Sequence, residues 1–227
     1  MVHSSNGGSI RTGPGRAARR AQDRRVGILR AAARVFRDRG YAAAGMRDIA
    51  VAADLSPGNL YHYFRGKDEI LFFCQNRSLD RLMLGLAAAR KDPRPLPERL
   101  QTLAVLHVLC LLDEVDGSAA HFEVDALPPP HRAAVVAKRD RYERGVRALV
   151  TGGIKAGTLR ALDPTIATRA FLGALNWTAH WYRPDGPLDP RVVADRVADY
   201  AVSGLVRSER KASADRRRSP ERSRSNV

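Results

Sequence analysis

The run Ser56-Pro57-Gly58-Asn59-Leu60-Tyr61-His62-Tyr63-Phe64 gathers a hydroxyl, an amide, an imidazole and two phenols into a few consecutive positions. Such groups donate and accept hydrogen bonds, and flat rings beside them suit phosphate oxygens, base edges and thymine methyls. Leu60 and Phe64 are four apart, so on a helix they share one face and point inward. Gly58, Asn59, Tyr61, His62 and Tyr63 are then left largely outside. Gly58 removes a side chain where another backbone could approach closely. Two cations flank the run, Arg47 before it and Lys67 after it.

These groups need a scaffold of short helices. Ser56 followed by Pro57 is a start signal, a capping hydroxyl with proline at the first helical position, and the helix is expected over Pro57 to Phe64. Before it, Met46, Ile49, Ala50 and Ala53 recur at helical spacing, with Gly45 at the cap position and Asp48 in the first turn. Small Ala50 permits a close crossing, and Asp54-Leu55 makes the turn with Leu55 plugging the gap between the two helices. Further upstream Val26, Leu29, Ala33 and Phe36 form a third helical stripe, which Gly40 stops in a C′ position. After Arg65-Gly66-Lys67 a long apolar helix is expected from Asp68-Glu69. Lys67 sits where the dipole of that helix disfavours a cation. Two readings stand: a solvated lysine, or a lysine reconciled to its place by a bound phosphate.

The string AAARVFRDRGYAAAGMRDIAVAADLSPGNLYHYFRGKDEIL resembles the N-terminal DNA-binding domain of the TetR/AcrR family of bacterial transcriptional regulators. The resemblance covers roughly Arg24 to Leu71, and its specific part is Ser56 to Phe64 with Lys67 behind it. It implies that Arg47, Ser56, Pro57, Gly58, Asn59, Tyr61, His62, Tyr63 and Lys67 lie at or near double-stranded operator DNA. Two positions depart from the family pattern: Gly45 stands where Ser or Thr is common, and Tyr63 where His is common.

The charge distribution agrees independently. Residues 1–67 hold 13 Lys/Arg against 4 Asp/Glu, residues 207–227 hold 8 against 3, and the middle is nearly neutral, within a formal net charge of +15. Basic charge at the head and tail is what a nucleic-acid footprint predicts, although solvated tails or a GC-rich coding sequence give the same counts. The organisation expected is a disordered basic arm at 1–20, a helix-turn-helix domain at 21–67, a helical effector-binding and dimerisation domain at 68–206, and a disordered basic tail at 207–227. The stretch MVHSSNGGSIRTGPGR lacks the apolar core of a secretory signal, and no run reaches the ~20 apolar residues of a membrane span. Cys74 and Cys110 each lie in apolar helical runs and read as buried thiols of a cytoplasmic protein.

The remainder reads as helix after helix, and the fold class is all-α. Expected segments run from Asp68 to near Arg90, Pro97 to Asp113, Ser118 to Ala126, His131 to Gly153, Pro164 to Tyr182 and Pro190 to Val206, with Pro128-Pro129-Pro130 as an interruption. The last two carry adjacent apolar stripes, Ala170/Ala174/Trp177/Trp181 beside Phe171/Leu175/Thr178/Tyr182, and Val193/Val197/Tyr200/Gly204 beside Ala194/Ala198/Ala201. A helix so widely apolar buries more than one face, either inside its own domain or against a partner. The family resemblance implies a homodimer through these helices, with two readers on a palindromic operator. The phrase Trp177 to Leu188 resembles a branch of the family linked to fatty-acid, acyl-CoA or steroid breakdown, which implies an acyl-CoA-like or lipid-like small-molecule effector.

A cavity for such an effector needs apolar walls with a few polar anchors. Candidate ligand-binding residues are Phe73, Leu103, His107, Phe122, Leu175, Asn176 and Trp177, with Arg144, Arg147 or Arg183 to meet an anionic head group. Each also has a plain reading as core or, for His107, as a satisfied buried histidine. His121-Phe122-Glu123-Val124-Asp125 with His131 does not make a metal site, because alternate residues splay apart on a helix and no HExxH or paired Cys spacing is present. No nucleophile or phosphate loop stands out, so neither enzymatic activity nor a cofactor is expected. The sequence therefore points to a dimeric, ligand-responsive DNA-binding repressor. An activator or effector-independent regulator and, more remotely, a helical enzyme or protein-interaction module are the other classes.

Overall fold

The computed structural model describes residues 15–113 and 123–207. These fold into eight helices: α1 (Arg16–Ala43), α2 (Met46–Ala52), α3 (Pro57–Tyr61), α4 (Lys67–Lys91), α5 (Leu96–Leu112), α6 (Pro129–Lys155), α7 (Pro164–Trp181) and α8 (Pro190–Ser203). Among the described residues the only β interaction is an isolated antiparallel bridge between Leu159 and Val206. Helices α1 to α3 form a head and α4 joins it to a body of α4 to α8, in which α5 packs centrally against α4, α7 and α8, while α6 packs on α4 and α7.

Start signals in the sequence are honoured locally. Ser56 Oγ accepts from Asn59 N at 3.2 Å. Asp163 caps α7 and Asp189 caps α8 in the same way, each followed by proline at the first helical position. That position needs no N–H donor and proline's φ is already helical. The same reasoning corrects one expectation. Pro129 and Pro130 open α6 rather than interrupting the chain before His131. A second correction concerns Ser118 to Ala126: residues 114–122 lie outside the described residues, and Glu123 to Ala126 are coil and turn.

The head departs from expectation at the start of its first helix and the end of its third. Helix α1 already begins at Arg16, so Arg16 to Arg20 are helical and not a disordered arm. Alanine and arginine are strong helix formers, and extending an existing helix avoids the cost of nucleation. Residues 1–14 and 208–227, the rest of the expected arm and nearly all of the tail, lie outside the described residues. Near its other end α1 breaks at Gly40, whose φ of 75° costs an L side chain energy. Helix α3 stops at Tyr61 instead of Phe64, because His62 N and Tyr63 N bond back to Asn59 O and Leu60 O in tight three-residue steps. Phe64 N still bonds to Leu60 O at 3.1 Å, and the Phe64 ring is buried in the core.

One contiguous core runs from head to body. Ile28, Leu29, Phe36, Ile49, Leu60 and Phe64 fill the head, and Ile70, Leu71 and Cys74 carry it along α4 into the body. Each large side chain so buried contributes roughly 1.5–3 kcal/mol. Where α6 crosses α4, a Cβ on Gly145 would overlap the Leu86 side chain and come within 2.9 Å of Arg90 Nη2. Gly145→Val is therefore expected to destabilise the protein by about 1–3 kcal/mol in urea unfolding, with an unchanged m-value. Unaltered stability would mean the α4–α6 crossing is looser than described.

Candidate nucleic-acid interface and effector cleft

The α2–α3 unit is held by backbone and by arginines of α1. Asp54 takes a left-handed φ of 53°, and Leu55 N donates to Ala50 O at 2.9 Å, which closes α2 in a Schellman-type turn. Arg24 Nη2 donates to Asp54 O at 3.3 Å and Arg34 Nη2 to Ala52 O at 3.4 Å, placing cations at the negative end of α2. At its other end, Gly45 N donates to Asp48 Oδ2 at 2.9 Å, and Asp48 Oδ1 accepts from Arg39 Nη1 at 2.7 Å. Half of a capping box thus survives without the hydroxyl that Gly45 lacks.

Arg47, Ser56, Pro57, Gly58, Asn59, Tyr61 and His62 are all exposed, while Leu60 and Phe64 are sealed beneath them. Tyr63 is half-buried and packs on the core, so it differs from the freely exposed residue that spacing suggested. A Cβ at Gly58 would meet no protein atom within 4 Å. Nothing inside the chain requires a glycine there.

Lys67 takes an arrangement that neither sequence reading contained. Its Nζ donates to the carbonyls of Tyr41 at 2.8 Å, Ala42 at 3.0 Å and Ala44 at 3.0 Å. It also lies 4.7 Å from the centre of the Tyr41 ring. The three ammonium donors are occupied, and the cation sits at the carboxyl end of α1, where a helix dipole favours it. The dipole of its own helix was only half of the local field.

In the body, α4, α5, α6 and α7 enclose a cleft of about 340 Å³. Leu79, Leu82, Leu111 and Leu172 give apolar wall, and His107, Tyr142, Asn176, Arg139, Asp140, Glu143 and Arg169 supply polar atoms. His107 Nδ1 is 3.1 Å from Tyr142 Oη and its Nε2 is 3.0 Å from Asn176 Oδ1. Burial pushes the His107 pKa down to about 4 against the opposing effect of its Asn176 hydrogen bond. Burial likewise raises the Tyr142 phenol and lowers the Arg139 guanidinium. Glu143 lies 3.8 Å from Arg169 and 3.9 Å from Arg147.

Of the expected ligand residues, His107 and Asn176 reach this cleft. Leu103 and Leu175 are buried in the core and do not line the cleft. Phe73 belongs to the head–body joint, edge-on to Phe64 at 5.5 Å. Arg144 and Arg183 are exposed on other faces, Arg147 is half-buried beside Glu143, and Phe122 lies outside the described residues. Trp177 is 63% exposed, with its ring tilted 37° against that of His180 at 4.3 Å. Sequence reasoning passed over Tyr142, Arg139 and Arg169, because only the crossing of α6 with α7 turns them toward His107.

The depressed His107 pKa has a consequence for stability. Between the unfolded value of 6.5 and the folded value of about 4, the unfolded chain binds a proton that the folded one refuses. Stability therefore falls as pH drops through that window, by roughly 3 kcal/mol at its lower end. Urea midpoints measured from pH 7 to pH 4 should show the loss, and His107→Gln should lose distinctly less.

The other face of α7 and α8 is apolar and open. A groove of about 790 Å³ runs between Ile166, Ala170, Ala174, Tyr200, Ser203 and Leu205. Ile166 and Tyr200 line it, 70% and 79% exposed, and Trp177, Trp181 and Val192 are further exposed apolar side chains of the same two helices. Patches of this kind mark interaction surfaces in soluble proteins.

Comparison with known proteins decides the family. Residues 28–72 match the model for bacterial regulatory proteins of the tetR family, and residues 93–205 match the tetracyclin repressor-like C-terminal domain. The chain belongs to the TetR family. This TetR-family protein is 30% identical over 191 residues to the transcriptional repressor KstR2 of Rhodococcus jostii, spanning 81% of this chain and 91% of that protein. It is 29% identical over 186 residues to the transcriptional activator FasR of Mycolicibacterium smegmatis, covering 81% and 83% of the two chains. Among solved structures, AibR in complex with isovaleryl coenzyme A and operator DNA superposes with a TM-score of 0.66 at 27% identity, covering 81% of this chain and 98% of that one. The family consists of transcriptional regulators rather than enzymes, and among the described residues of this member no helix is long and apolar enough to cross a membrane.

Proposed function

We propose that this TetR-family protein is a homodimeric repressor that binds a palindromic operator and leaves it when a small acyl-CoA-like or lipid-like effector enters the body. The observation that carries the DNA-binding reading is the α3 surface, exposed over Arg47, Ser56 to Asn59, Tyr61 and His62 while Leu60 and Phe64 anchor it from below. Arg47, Tyr61 and the free backbone amides at the start of α3 set the register on phosphates; Asn59, His62 and the edge of Tyr63 read bases. Lys67 acts from behind, as the clamp that fixes α4 to α1.

Dimerisation is supported by the open apolar face of α7 and α8, which a second copy would cover. The effector is assigned to the cleft around His107 and Asn176, whose size and mixed lining suit a small amphiphile. Binding there would shift α4, which supplies Leu79 and Leu82 to the cleft and Lys67 to the head. Effector and operator then weaken each other's binding by the same factor. KstR2 is named a repressor and AibR was solved with an acyl-CoA and operator DNA, and both favour this reading. FasR is named an activator, which keeps activation as the second reading.

Fluorescence anisotropy with duplexes from the promoter region beside the gene tests DNA reading. Gly58→Val should leave the unfolding free energy within about 1 kcal/mol of wild type, because no protein atom is met. It should still weaken specific binding at least about tenfold, through obstruction of close backbone approach. Equal affinities for wild type and Gly58→Val, or absence of any specific complex with a steep salt dependence, would sink the proposal. Reporter expression in a deletion strain separates repression from activation.

A further inference from the structure

Tyr142, His107 and Asn176 form a hydrogen-bonded chain leading from the core to the surface of the cleft. Its polarity can be worked out atom by atom. Asn176 Oδ1 is a carbonyl oxygen and only accepts, so His107 Nε2 carries the ring proton and donates to it. A neutral imidazole has one N–H, which leaves Nδ1 as a lone pair that accepts from the Tyr142 hydroxyl. Burial keeps both groups in these states, the imidazole uncharged and the phenol protonated. The chain therefore turns the Asn176 carbonyl oxygen toward His107 and leaves the two Nδ2 donors for whatever occupies the cleft.

We propose that the effector presents an acyl carbonyl oxygen to the Asn176 side-chain amide, with His107 and Tyr142 as positioning residues that hold the amide donor-outward. The inference rests on the reading of this cleft as the effector site. Three observations narrow the class. The walls from Leu79, Leu82, Leu111 and Leu172 are aliphatic, which suits an alkyl chain. The charged lining, Arg139 and Arg169 with Asp140 and Glu143, sums to no net charge, so the cleft has no excess cation for a free carboxylate and a neutral acceptor fits better. The volume of about 340 Å³ holds roughly ten heavy atoms at about 30 Å³ each, a short or branched acyl group.

A matched pair of ligands isolates the carbonyl: hexanoyl-CoA, a thioester, and S-hexyl-CoA, the thioether that lacks only the carbonyl oxygen. Isothermal titration of the full-length protein should give hexanoyl-CoA a Kd about five- to tenfold tighter than S-hexyl-CoA. Asn176→Ala should bring the thioester to the thioether's affinity and leave the thioether unchanged. Tyr142→Phe, which frees His107 to turn, should narrow the gap while leaving the thioether's Kd in place, a split that general loosening of the cleft would not produce. Equal affinities of the two ligands for wild type would overturn the inference while leaving the effector site standing; an amide turned the other way, with its oxygen outward, gives that result. A gap that survives in Asn176→Ala would also overturn it. Failure of both ligands to bind removes the acyl-CoA class itself, and the inference with it.

Discussion

Lys67→Ala is expected to unfold the head more readily, by about 2–3 kcal/mol, and to abolish operator binding as a consequence. The ammonium satisfies three carbonyls at the end of α1, and hydrogen bonds from a charged donor are worth more than neutral ones. Its loss leaves Tyr41 O and Ala44 O, both partly buried, without that donor. Lys67→Met keeps the alkyl stem and should be nearly as damaging. Lys67→Arg should recover only part of the stability, because a planar fork cannot converge on three carbonyls as an ammonium does. Urea unfolding followed by circular dichroism measures the effect. The opposing result is distinctive: a lysine serving only a DNA phosphate would leave the unfolding curve in place, weaken binding uniformly and reduce the salt slope by about one.

Two glutamates on the open face of the body, Ile166→Glu with Tyr200→Glu, should separate the proposed dimer and lower operator affinity by about two to four orders of magnitude. Both side chains stand in the solvent in the single chain, Ile166 with 70% of its surface exposed, so the monomer fold should persist with an unchanged helical spectrum. Across a two-fold axis each charge would meet its own copy or its neighbour's, in a groove whose lining is otherwise apolar. Losing the second half-site contact removes the effective concentration that linkage supplies, which sets the size of the drop. Sedimentation velocity at micromolar concentration reports the assembly and anisotropy the affinity. A variant that stays dimeric, or a wild type that is monomeric while binding a palindrome tightly, would refute the assignment of this face.

The head was legible because its information is local. Ser56 and Pro57 start a helix in this order, Leu60 and Phe64 share a face by spacing alone, and Gly40 breaks α1 through its own φ. Lys67 shows where such reasoning stops. The sequence places it correctly at the start of α4, yet the group that decides its role is the carboxyl end of α1, some 25 residues earlier in the chain and adjacent only after folding. The body was legible as helices and opaque as a site. Leu103, Leu175 and Trp177 share an apolar character that spacing cannot divide among core, cleft and outer face. Asn176 lies between Leu175 and Trp177, and three consecutive residues of α7 thus face three different surroundings.

The sequence by itself determined the all-helical class, the capped start of α3, the starts of α7 and α8 at proline, the inward pair beneath the reading surface and the exposed polar groups above it. Periodicity, capping chemistry and charge are properties of neighbouring residues, and they survive without knowledge of the fold. Only the tertiary structure decided that Lys67 ties two helices together, that Phe73 serves the joint between head and body, and that Tyr142, His107 and Asn176 meet in one hydrogen-bonded chain. Those outcomes depend on how α4, α5, α6 and α7 cross. Crossing geometry is set by the packing of many side chains at once, so no single stretch of sequence contains it.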